Sequence, residues 1–157
     1  MKYRSIFAGA AFAVSLVLAG CGGASGDLAS FKPPAGWRAV NIFGMSMYLA
    51  PDSAKTNGQM LMLMRVPNAK SNGDFSIATA RFGKDATIQE KKTIDICGKQ
   101  PAQYVAFTGN QQGHPDKVEM VVTRYGNTTY FAMYARPKTV PANVDAETAI
   151  KSLCLKT

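Results

Sequence analysis

Histidine occurs once in the 157 residues, at His114, and that scarcity narrows the chemistry open to the chain. With no second imidazole and no C-x-x-C pair, the usual zinc-ligand spacings are missing. His114 stands in Gly113-His114-Pro115, expected to be an exposed loop between two strands. It has no recognisable serine or cysteine partner, so no catalytic triad is legible. The ten acidic residues are dispersed, with no D-x-D-x-D calcium loop and no carboxylate pair at an interpretable spacing. Glycine-rich phosphate loops are missing as well, since Gly22-Gly23 follows no strand. The net charge of +8 is scattered, its densest group being Lys91-Lys92, and no run of five basic residues marks a nucleic-acid footprint. No cofactor, resident metal or nucleic-acid partner is therefore expected. The chain reads as a non-enzymatic protein. An unrecognised hydrolase is the alternative, and it requires His114 to meet a hydroxyl or carboxylate in a pocket.

What the sequence does carry begins at its N-terminus. Lys2 and Arg4 precede an apolar run from Ile6 to Ala19, too short for the helix of a membrane-spanning domain. The small residues after it lead straight into a cysteine. Leu18-Ala19-Gly20-Cys21 resembles the lipobox of bacterial lipoproteins. The resemblance implies that residues 1–20 are a lipoprotein signal peptide and that the Cys21 thiol carries a diacylglycerol. It also implies an exported protein anchored to the cell envelope by palmitate-type acyl chains, at the inner or outer membrane. Removing twenty of 157 residues leaves 137, enough for one domain with a core. Losing Lys2 and Arg4 lowers the net charge from +8 to +6, a mildly basic surface that gains weak attraction to anionic headgroups.

Lipidation of Cys21 leaves Cys97 and Cys154 as an even pair in an oxidising compartment, which reads as one disulfide. The long loop it closes puts its stabilisation at roughly 4 kcal/mol in the chain-entropy model. A metal pair or a reactive thiol has no support from neighbouring residues.

Residues 21–30, containing Gly22-Gly23-Ala24-Ser25-Gly26, read as a flexible tether, and residues 31–157 as a single globular domain. Beyond Pro33-Pro34-Ala35-Gly36 the apolar period is mostly two. Strands are expected over Trp37–Phe43, Met45–Leu49, Gln59–Val66, Thr87–Ile96, Gln100–Thr108, Lys117–Arg124 and Thr128–Arg136. Gly109–Asp116 is expected as a polar loop. Gln59–Val66 is apolar on both alternating sets, so it belongs inside its sheet. Asp74 is the expected cap of a short mid-chain helix over Phe75–Phe82. Asn143 or Asp145 caps a final helix on which Ala146, Ala149, Ile150, Leu153 and Cys154 share one face. The fold class is α+β: about six to seven antiparallel strands packed by a C-terminal helix and a mid-chain helix.

Pro34-Ala35-Gly36-Trp37, Ile96-Cys97-Gly98 with Pro101-Ala102, Tyr130-Phe131-Ala132-Met133-Tyr134 and the closing helix together look like the PsbP-like superfamily. That group contains the extrinsic oxygen-evolving subunit of photosystem II, the Ran-binding protein Mog and many bacterial lipoproteins. The resemblance implies a curved antiparallel sheet in an α/β/α sandwich, used as a binding or accessory module without catalysis. An envelope protein or a small ligand is the implied partner, beside the membrane itself.

Met60, Met62 and Met64, preceded by Met45 and Met47, are the chemically suggestive cluster. Thioethers two apart share a strand face, and soft sulfur suits Cu(I). Methionine also fills irregular core gaps, and packing is the favoured reading, with a Cu(I) chaperone as its alternative. Tyr130 and Tyr134 are read as cross-strand packing.

Overall fold

The computed structural model describes residues 29–42, 45–51, 58–67, 86–111 and 114–156. Nine strands and one helix are formed among them: β1 (Ala29–Ser30), β2 (Arg38–Ile42), β3 (Met45–Leu49), β4 (Met60–Pro67), β5 (Thr87–Ile96), β6 (Gln100–Gln111), β7 (His114–Tyr125), β8 (Thr128–Pro137), α1 (Val144–Lys151) and β9 (Cys154–Leu155). Strands β2 to β8 make one antiparallel sheet in the order β2-β3-β4-β8-β7-β6-β5, and β1 pairs with β9 in a separate two-stranded ribbon. The fold is α+β with sheet predominant, as the period-two pattern requires. The expected mid-chain helix over Phe75–Phe82 lies outside the described residues, as does its cap Asp74.

Alternation along the strands sorts the core into two faces. Leu61, Leu63, Tyr104, Val121, Tyr130 and Tyr134 lie on the face that receives Ala146, Ala149 and Ile150 of α1. Met62, Met64, Phe107, Met120, Phe131 and Met133 lie on the other. β4 is interior, between β3 and β8, as its two apolar sets predict, and β8 is the middle strand, buried along eight of its ten residues. β5 is an edge, exposed along most of its length and bulged between Ile88 and Glu90. Its Lys91-Lys92 pair and bulge discourage pairing with another chain. The Pro34–Trp37 turn is closed by the Trp37 N–H donating to Pro34 O, and Gly36 supplies the positive φ of 79° at its third position.

Three expectations are corrected. The polar loop over Gly109–Asp116 is mostly strand: β6 runs to Gln111, β7 starts at His114, and the register Gly109↔Asp116, Asn110↔Pro115, Gln111↔His114 is continuous. Pro115 is tolerated there because β7 is paired only with β6 at that position, its register with β8 starting at Asp116↔Pro137. His114 is accordingly a strand residue, not a loop residue. Cys154 is not on the helix. Asn143 is the N-cap, its side chain accepting from Ala146 N, and the helix stops at Lys151 where the Ser152 hydroxyl donates to Ala149 O at 2.7 Å. A serine hydroxyl that satisfies a terminal carbonyl ends the helix one turn before the apolar pattern does. Leu153 still enters the core, and Cys154 passes into β9. Lastly, Ala29 and Ser30, assigned to the tether, form β1, with Ala29 buried.

Candidate functional site

Polar side chains converge between α1 and the sheet. Glu119 on β7 is registered opposite Ala106 of β6 and Tyr134 of β8, so Tyr104 and Arg136 are its diagonal neighbours on one face. The Tyr104 hydroxyl donates to Glu119 Oε2 at 2.9 Å, and Arg136 Nη2 lies 3.8 Å from Glu119 Oε1. Arg136 Nη1 donates to Val140 O at 2.9 Å, tying the β8–α1 connection to the sheet. Lys92 Nζ and Lys151 Nζ approach the Tyr104 ring at 5.0 and 5.7 Å from its centroid. The neighbouring Tyr134 hydroxyl donates to Gln59 Oε1 and accepts from the Asn143 N–H. A phenol on the sheet thus fixes the residue that caps α1.

Burial pushes the Glu119 carboxyl above the ordinary carboxylate range, against the lowering effect of the Tyr104 hydrogen bond; Glu147 raises it further, and Arg136 and Lys151 lower it. Tyr104 is raised by burial first, then by its hydrogen bond to Glu119 and by the carboxylates around it. The native state therefore holds the Glu119 proton to higher pH than the unfolded chain does, and stability falls as pH rises from the ordinary glutamate range through the raised native value. Glu119→Gln keeps an acceptor for Tyr104 and removes the titration. Its denaturation midpoint is expected to lose the Glu119 share of the decline that wild type shows in the window opening at the ordinary glutamate range. Urea titrations of both proteins across that window check this, and equal pH slopes would contradict it.

Sequence reasoning missed this group, although a signal was present: Glu119 occupies an inward position of the alternating strand, in phase with Val121. The cluster offers chemistry of limited scope. Its carboxyl and phenol are engaged with each other, and the Arg136 Nη atoms reach Glu119 and backbone, while Arg136 Nε is buried without a hydrogen-bond partner. Among the described residues no serine, cysteine or histidine hydrogen-bonds to the three.

At the other end of the strands, on the face away from α1, Pro101, Gln103, Val122, Arg124 and Thr129 line a concavity of about 210 Å³. Arg124 Nε donates to Gly126 O at 2.8 Å and Gln103 Nε2 to Thr93 Oγ1 at 2.8 Å. The Thr129 hydroxyl is buried with no hydrogen-bond partner, an arrangement that costs about 1–3 kcal/mol unless something satisfies it.

Cys97 and Cys154 are joined in a disulfide with their Cα atoms 4.9 Å apart. The Gln100 side-chain amide reinforces the join, donating to Leu155 O and accepting from Leu155 N. Cys21 lies outside the described residues. Met62 and Met64 are buried in the face away from α1, and Met60 is half-buried beside them. Cross-strand register sets Met47, Met62, Met133 and Met120 in one row, a packing arrangement in which unbranched thioethers fill the space between strands. Among the described residues no three of His, Cys, Asp and Glu come together as a metal-ligand group.

No protein-family model and no curated protein matches the sequence. Solved structures share the fold. A protein of Bacteroides thetaiotaomicron is 18% identical with a TM-score of 0.53 over 82% of this chain and 45% of that one. The chain thus spans less than half the length of that protein. LpqN of Mycobacterium tuberculosis, involved in cell envelope biogenesis, is 11% identical with a TM-score of 0.55 over 82% of this chain and 83% of LpqN. The domain has the fold of these bacterial proteins.

Proposed function

We propose that this chain is an exported lipoprotein, anchored through Cys21, whose PsbP-like domain acts as a binding or accessory module of the cell envelope and catalyses no reaction. The observation that carries this reading is the β1–β9 ribbon: Ala29, eight positions after Cys21 in the sequence, is paired there with the C-terminal strand beside the disulfide. An anchor at Cys21 then holds a domain that a covalent bond closes at the same corner. The fold shared with LpqN, a protein involved in cell envelope biogenesis, supports an envelope role. The non-enzymatic part rests on inventory. Acid–base or nucleophilic chemistry needs a base held against its partner, and Glu119 is already committed to Tyr104 and Arg136.

Metabolic labelling with a palmitate analogue tests the anchor. Wild type is expected to take up label and fractionate with membranes, while Cys21→Ser takes up none and is released. Unlabelled wild type would overturn the reading. Crosslinking in native cells followed by mass spectrometry then identifies the partner.

A further inference from the structure

Basic charge is gathered at the end of the sheet where the chain leaves toward Cys21. At this end Ile96 is registered opposite Gln100, and Thr128 opposite both Tyr125 and Pro67. Beyond it or within two residues of it stand Lys99 in the β5–β6 turn, Arg124 and Arg65. Lys156 follows β9 directly and therefore adjoins the point where the tether meets β1. Lys99, Arg65 and Lys156 are exposed, and Tyr125 presents an exposed ring between them, 46% accessible. Asp95 is the one carboxylate side chain among the described residues at this end. At the opposite end the charges are mixed: Asp116, Asp145 and Glu147 stand with Arg38, Lys117 and Lys138. The concavity beside Arg124, with the unsatisfied Thr129 hydroxyl, opens at the basic end.

We infer that this end of the sheet docks onto an anionic phospholipid bilayer, with headgroup phosphates meeting Lys99, Arg124 and Lys156 and Tyr125 seated at the headgroup level. Tether length argues for the bilayer as the occupant. Seven residues separate Cys21 from Ala29, a reach of at most about 28 Å at full extension, so the basic end is the part of the domain delivered to the membrane. Guanidinium and ammonium groups bind phosphate by charge-assisted hydrogen bonds, and an amphipathic tyrosine suits the boundary layer. Each basic residue near an anionic surface strengthens partitioning about fivefold.

The inference takes its orientation from the anchored reading, yet its test is independent of acylation. The mature chain bearing Cys21→Ser is sedimented with vesicles of equimolar phosphatidylcholine and phosphatidylglycerol, and with pure phosphatidylcholine. Binding is expected only to the phosphatidylglycerol vesicles and is expected to fade as salt rises. Lys99→Glu/Arg124→Glu/Lys156→Glu is expected to weaken it by at least about thirtyfold, while Lys117→Glu/Lys138→Glu at the opposite end leaves it within about twofold. Lys99→Gln/Lys156→Gln, which alters exposed side chains alone, is expected to show an intermediate loss with unchanged circular dichroism. Equal binding to both vesicles, no binding, or equal loss in the variants of the two ends would each overturn the inference. Vesicle binding without acyl labelling in cells would leave it standing and remove the anchor.

Discussion

Removing the Cys97–Cys154 bond is expected to cost about 4 kcal/mol of folding stability, the chain-entropy value for a closed loop of its length. The bond spans 57 positions and joins the β5–β6 turn to β9. Without it, β9 is held by the Gln100 amide, by its two register pairs with β1 and by the burial of Leu155. The double variant Cys97→Ala/Cys154→Ala should therefore show a urea midpoint far below that of the oxidised protein. A second comparison separates the cross-link from the backbone. Cys97 has φ 49° in the left-handed region, where a side chain costs about 1 kcal/mol relative to glycine. Cys97→Gly/Cys154→Ala should recover about that amount over the double alanine variant. Equal midpoints for the oxidised protein and both variants would remove the disulfide from the stability of the fold.

Alkaline pH is expected to unfold the domain cooperatively, beginning near pH 10. Tyr48, Tyr104 and Tyr134 are almost wholly buried, and burial is the largest cause raising each phenol above its ordinary value. The Asn143 N–H and Arg136 oppose the rise at Tyr134 without cancelling it. Above pH 10 the unfolded chain releases these protons while the native state keeps them, so stability is intact below that pH and is lost as pH climbs toward the raised native values. Each such proton contributes a slope of up to about 1.4 kcal/mol per pH unit. Phenolate absorbance from these tyrosines should therefore appear together with loss of the sheet's circular dichroism, not before it. Tyr104→Phe should make the alkaline decline shallower by one proton's worth. Gradual phenolate absorbance with the sheet intact, beyond the share of the exposed Tyr125, would show that the three phenols are open to solvent.

Strand positions were legible because a half-buried sheet imposes period two and a doubly covered strand imposes a continuous apolar run, as Met60 to Val66 displays. The cap at Asn143 was legible as one of two candidates. The end of α1 was not. Helical spacing carries Leu153 and Cys154 onto the face of Ala146 and Ile150, and only the Ser152 hydroxyl, fixed between Ala149 O and the Lys32 N–H, stops the helix first. His114 was misplaced for a related reason: Gly113 and Pro115 are loop residues by composition, yet pairing with Asn110 and Gln111 extends the hairpin past them.

By itself the sequence determined what is local: the alternation that makes strands, the interior run of β4 and the cap of α1 as one of two candidates, together with Cys97 and Cys154 as a pair. Tertiary structure alone decided which distant residues meet. Glu119, Tyr104 and Arg136 lie on three different strands, and their shared proton and charge exist only because β6, β7 and β8 are registered side by side. The gathering of Lys99, Arg124 and Lys156 at one end of the sheet depends likewise on strand order and on the β1–β9 ribbon. Local geometry is set by near neighbours in the chain, whereas desolvation and Coulomb interaction act through space and take effect only once the fold has set those distances.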